Sequence, residues 1–181
     1  SENLFLDYHY GSEASADYVI GTRANIQNDK PIIGTYNVNS EGSTDMYYKG
    51  ANMLHTLRQL VNNDEKWKQL LRGLNKTFYH QTVTTQEIEN YISEFTGMNL
   101  TAIFNQYLRD IRIPNFEYSI ENNELSYHWN NVVENFEMPI EIEVNQETLW
   151  LYPTADWQKK EINVSKINID RDYYINHKQL K

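Results

Sequence analysis

The chain contains no cysteine. That excludes disulfide frameworks, thiolate zinc sites and a cysteine nucleophile, and it leaves the compartment open, because such a chain suits oxidising and reducing surroundings alike. No apolar run is as long as a membrane span, and no charged-then-apolar leader stands at Ser1. Positive charge is scarce: 16 Lys and Arg face 25 Asp and Glu, a net −9. Nucleic acid is a poor partner for that balance, since neutralising a phosphate backbone needs the opposite one. Internal repeats and low-complexity tracts are missing, as are H-E-x-x-H, G-x-S-x-G and any phosphate-cradling glycine loop. What remains is 181 residues, 40% hydrophobic and 13% aromatic, enough to bury a core in one large or two small domains. The chain starts on serine with a helical pattern already under way at Glu2, so it reads as a piece of a longer protein.

The apolar period changes once, near Ile113-Pro114, from helical spacing to strand alternation. Charge shifts there too: residues 1–112 carry 10 basic and 13 acidic groups, residues 113–181 carry 6 and 12. The expected fold is α+β in two domains, 1–112 helical and 113–181 a small antiparallel β-sandwich. Helices are expected over 4–10 and 13–26, broken at Gly11. Another takes in Met46, Met53, Leu54, Leu57, Leu60 and Val61, a three-and-four spacing that makes one apolar stripe. Asp64 should cap the helix carrying Trp67, Leu70, Leu71 and Leu74. Thr84 and Glu87 should form a capping box, Gly97 should stop that helix, and Asn99 should cap the next. Beyond Pro114, Phe116, Tyr118 and Ile120 alternate with polar residues. Leu125, Tyr127 and Trp129 do the same after Asn122-Asn123, as do Ile140, Ile142 and Val144, whose other face is acidic and wet. Further strands are expected within 149–152, 157–162 and 167–169.

The five histidines form no local metal motif. His9 and Glu13 are four apart, but Gly11 between them breaks a shared helix, so a surface polar pair is the better reading. His55, beside the apolar stripe, reads as a satisfied structural histidine. Asn75-Lys-Thr77, Asn99-Leu-Thr101 and Asn163-Val-Ser165 are glycosylation-type triplets of the kind an asparagine-rich chain carries by chance.

Tyr47-Tyr48-Lys49-Gly50, followed by Ala51 to Arg58, resembles the Tyr-x-Lys-Gly helix start of the gluzincin-type zinc aminopeptidases, the family of membrane alanyl aminopeptidase (peptidase family M-one). The order of surrounding features agrees. Ser1-Glu2-Asn3-Leu4-Phe5 resembles the helix just past the family's third zinc ligand, and Pro31-Ile32-Ile33 the loop before the tyrosine. Residues 84–95 and 97–108 resemble the last catalytic-domain helices, with Tyr107 where tryptophan is usual. Ile113-Pro114 stands in place of the Gly-x-Pro linker, and Phe136-Glu137-Met138-Pro139-Ile140 is similar to the Phe-x-Met-Pro strand of the following β-domain.

The resemblance implies that residues 1–112 are the latter helical part of a metallopeptidase catalytic domain. Tyr47 would be the catalytic tyrosine that hydrogen-bonds the scissile carbonyl oxygen as it becomes an oxyanion. Glu2 matches a glutamate one helical stretch beyond the third ligand, which supports the metal ligands from behind or is a plain surface glutamate; both stay open. The zinc histidines, the third ligand, the general-base glutamate and the Gly-x-Met-x-Asn substrate loop have no counterpart in this sequence. Zinc is therefore expected in the full-length enzyme and not in this fragment. Peptides would be the substrates, and a cell-envelope or secreted location is expected over a cytoplasmic one. The rival is a non-enzymatic binding or scaffold module whose sandwich recognises a protein or sugar.

Overall fold

The computed structural model describes residues 2–35, 42–163 and 165–180. Ser1, in the segment likened to the helix past the third ligand, and Val164, inside the last glycosylation-type triplet, lie outside the described residues.

Helices α1 (Glu2–Tyr10) and α2 (Ser12–Gly21) are separated by Gly11 at φ +92°, a backbone region that suits a residue without Cβ. The helix expected over 13–26 is shorter than that: it stops at Gly21 and tightens into a 3-10 turn, Thr22–Asn25. Thr22 turns its hydroxyl back to the Val19 carbonyl at 2.6 Å, a local bond that competes with the helical ladder. Helix α3 (Asp45–Val61) ends on Asn62 in the left-handed region. That turn makes Asn63, not Asp64, the cap of α4 (Asp64–Thr77): its side chain accepts the Lys66 N–H at 2.8 Å. Asp64 is instead a first-turn acid paired with Arg58 at 2.8 Å. Helix α5 (Thr85–Thr96) opens on the Thr84–Glu87 capping box and stops at Gly97, φ +76°. The position preceding α6 (Thr101–Leu108) is Leu100 rather than Asn99, although Asn99 Oδ1 still accepts the Thr101 N–H at 3.3 Å.

Among the described residues seven strands follow: β1 (Asn115–Glu121), β2 (Glu124–Asn130), β3 (Ile140–Val144), β4 (Glu147–Leu151), β5 (Gln158–Glu161), β6 (Asn168–Ile169) and β7 (Asn176–Gln179). They make a four-stranded sheet, β5-β2-β1-β7, and a three-stranded one, β4-β3-β6. Asn122 and Asn123, both at positive φ, make the tight turn between β1 and β2. The expectation of purely antiparallel sheets fails at one edge, where β7 pairs parallel with β1. Strand β7 is exposed along its length and polar, so it is held by backbone bonds at a sheet edge and shows no apolar alternation. Glu141 departs from the expected wet face as well: it is half-buried, and burial pushes its carboxyl up.

One apolar cluster crosses the period change. It runs from Met53, Leu57 and Leu70 through Ile103, Phe104 and Tyr107 to Phe116, Trp129, Phe136, Met138 and Ile140. Each such side chain contributes roughly 1.5–3 kcal/mol by leaving water. The buried indole of Trp129 donates to the Met138 carbonyl at 3.0 Å, so its one polar atom is paired.

Candidate functional site

Helix α3 presents two different faces. The expected apolar stripe is realised at Met53, Leu57 and Leu60, but Met46 (44% exposed) and Leu54 (39%) face outward. The buried row is instead largely polar: Asp45, Lys49, Asn52 and Thr56, spaced i, i+4, i+7, i+11. These side chains replace apolar packing with specific bonds. Asp45 accepts the N–H groups of Gln27 and Asn28 at 2.9 and 2.7 Å. Lys49 Nζ donates to the Asp110 carbonyl at 2.9 Å. Asn52 takes the Arg23 Nε–H at 2.7 Å and donates to the carbonyls of Val19 and Tyr48. Thr56 accepts the N–H of Tyr174 at 2.9 Å. The signal that could have found this row was its helical spacing, hidden because the residues are polar.

Two residues further round, Tyr47, Ala51, Leu54 and Arg58 repeat the same spacing on nearly the opposite face, and there they line a cleft of about 480 Å³. Glu2 and Leu4 of α1, Tyr18 and Val19 of α2, and Trp67 and Leu71 of α4 supply the other walls. Both residues singled out from the sequence, Tyr47 and Glu2, therefore meet on one cleft. Tyr47 lies in the first turn of α3 and is 69% exposed. Tyr48 lines the cleft too and is 40% exposed. Glu2 accepts the Tyr18 hydroxyl at 3.0 Å, and that bond is the chief reason the Tyr18 phenol is pushed up.

The remaining ionisable groups of the cleft have partners. Arg58 bridges Asp7 at 3.0 Å and Asp64 at 2.8 Å. His55 is buried, with Nε2 3.5 Å from Asp172 and 3.4 Å from the Gln59 amide. Its partner Asp172 lies beyond Pro114, so the histidine ties α3 to the strand-rich part. Among the described residues no three His, Asp or Glu side chains come together in a way that could hold a metal ion. The described residues of this chain thus do not fit a zinc site. No helix is long and apolar enough to cross a membrane among the described residues.

No family profile and no curated protein matches the sequence. A solved structure matches the fold: Legionella pneumophila aminopeptidase A, in complex with aspartic acid, at a TM-score of 0.65 and 13% identity. The match covers 97% of this chain and 22% of the Legionella chain. The fold is aminopeptidase-like. It takes in the helices and both sheets together, and the chain spans under a quarter of that relative's length.

Proposed function

We propose that this chain is the part of a zinc-dependent aminopeptidase that contributes the oxyanion-stabilising tyrosine but not the zinc ligands. The observation that carries the reading is the position of Tyr47: the tyrosine of the Tyr-x-Lys-Gly segment stands at the open edge of a cleft, in a fold of aminopeptidase type. A phenol O–H there can donate. It hydrogen-bonds the carbonyl oxygen of the scissile peptide more strongly as negative charge gathers on that oxygen, so its contribution is largest in the transition state. The cleft walls of Tyr18, Leu54, Trp67 and Leu71 offer an apolar and aromatic surface for a peptide's N-terminal part. The metal, its ligands and the general base would come from sequence outside this chain, and the product would be a free amino acid and a shortened peptide.

In the full-length polypeptide, Tyr47→Phe should leave zinc content and thermal unfolding unchanged while turnover on amino-acid amides falls by about a hundred- to a thousandfold. KM should move far less. Near-normal turnover in Tyr47→Phe with collapse in Tyr48→Phe would move the role to Tyr48 and overturn the assignment to Tyr47. A full-length protein with no aminopeptidase activity would favour the scaffold reading.

A further inference from the structure

Lys49 has no solvent-exposed surface. Taking an ammonium out of water is costly, and a hydrocarbon of the same length would fill the space without that cost. Burial pushes the ammonium's pKa down, opposed by the nearby charges of Asp45 and Asp110. A buried lysine therefore calls for a reason at its two ends. Its Nζ reaches the Asp110 carbonyl at the exit of α6. That exit is itself pinned, since Arg112 grips the Asp110 carboxylate at 2.7 Å and Ile33 N–H donates to the Leu108 carbonyl at 2.8 Å. One turn earlier, Asp45 is also wholly buried and collects two backbone N–H groups from residues 27 and 28. The first turn of α3 is thus stitched to two separate, fixed stretches of chain.

Tyr47 sits between these stitches, two residues from each and so about 200° round the helix, facing the cleft. First turns fray, because their N–H groups lack partners within the helix. An oxyanion donor there tolerates displacements of only about 0.5 Å. We infer that Lys49, with Asp45, is a positioning residue for Tyr47: the buried pair fixes the first turn of α3 from behind, so that the phenol is held at the oxyanion without either residue touching substrate. This rests on the aminopeptidase reading and gives the lysine of the Tyr-x-Lys-Gly segment a task separate from the tyrosine's.

The test is a double-mutant cycle in the full-length, zinc-loaded polypeptide. Lys49→Met keeps the length of the stem and removes the donor and the charge. In the wild-type background kcat should fall by about ten- to a hundredfold, the range expected for a displaced catalytic group, with KM within about threefold. In the Tyr47→Phe background the same substitution should cost almost nothing further, because there is no phenol left to misplace. An equal loss of kcat in both backgrounds marks a general disturbance and overturns the inference, as does an unchanged kcat or a change confined to KM. If Lys49→Met does not fold, the cycle is run with Lys49→Gln, which keeps an N–H donor on a shorter stem and must show the same dependence on Tyr47. A wild type without aminopeptidase activity defeats the functional reading and the positioning role with it; an active wild type with additive losses defeats only the role.

Discussion

Asp170 and Asp172 lie two residues apart and are pushed in opposite directions. Burial raises the Asp170 carboxyl, with the charge of Asp172 adding to it. The His55 ring, with Nε2 3.5 Å from the carboxylate, lowers Asp172, against a smaller effect of burial. The folded state therefore holds the Asp170 proton more tightly than the unfolded chain does. Its contribution to stability is present at low pH and is lost as pH rises from the unfolded carboxyl value, about 3.9, through the raised folded one. For Asp172 the sign reverses: stability is present above the unfolded value and lost as pH falls through the lowered folded one. Asp170→Asn keeps the acceptor that takes the Asp172 N–H at 2.9 Å. It should melt above wild type at pH 7, and the gap should close below about pH 4. Asp172→Asn should melt below wild type at pH 7, with its gap closing only under the usual carboxylate range. Melting curves across pH decide this, and shifts of the same sign in both variants would contradict the assignment.

At the scale of elements, the ends of helices carry most of the local signal. The capping box at α5 was legible because Thr84, Glu87 and Gly97 signal by type and spacing alone, and all three take the expected places. The caps of α4 and α6 each fall one residue away from the expected one: the left-handed Asn62 hands the capping position to Asn63, and Leu100 stands directly before α6. Thr84→Ala should cost about 1 kcal/mol by leaving first-turn N–H groups unpaired. In a chain of this size that lowers Tm by about 2–4 °C, measurable by circular dichroism with the helical signal at 20 °C unchanged. A larger loss would mean the cap also supports the stacked rings of Tyr91 and Phe95 on the same helix.

At the scale of the molecule, the helical and strand-rich parts are joined by polar links as well as by the continuous core. Arg23 donates to the carbonyls of residues 171 and 172 and lies over the Tyr174 ring at 5.5 Å. The buried Tyr107 hydroxyl donates to the Tyr174 carbonyl at 2.7 Å. Tyr107→Phe keeps the ring and leaves that carbonyl unpaired, a cost of about 1–3 kcal/mol. The urea midpoint should fall with the slope unchanged, and to the same extent whether followed at Trp67 among the helices or Trp129 among the strands. A shift at only one tryptophan would show that this bond does not couple the two parts. The sequence alone determined the order of helices before strands and the turn at Asn122-Asn123, because periodicity, capping and turn chemistry are local and leave local marks. Only the tertiary structure decided that Glu2 and Tyr47 share a cleft, that β7 runs parallel to β1, and that Asp45, Lys49, Asn52 and Thr56 form the inner face of α3. Those outcomes depend on bonds from polar side chains and bare backbone to residues as far away as position 174, and a polar residue shows its partner only once the chain has brought the two together.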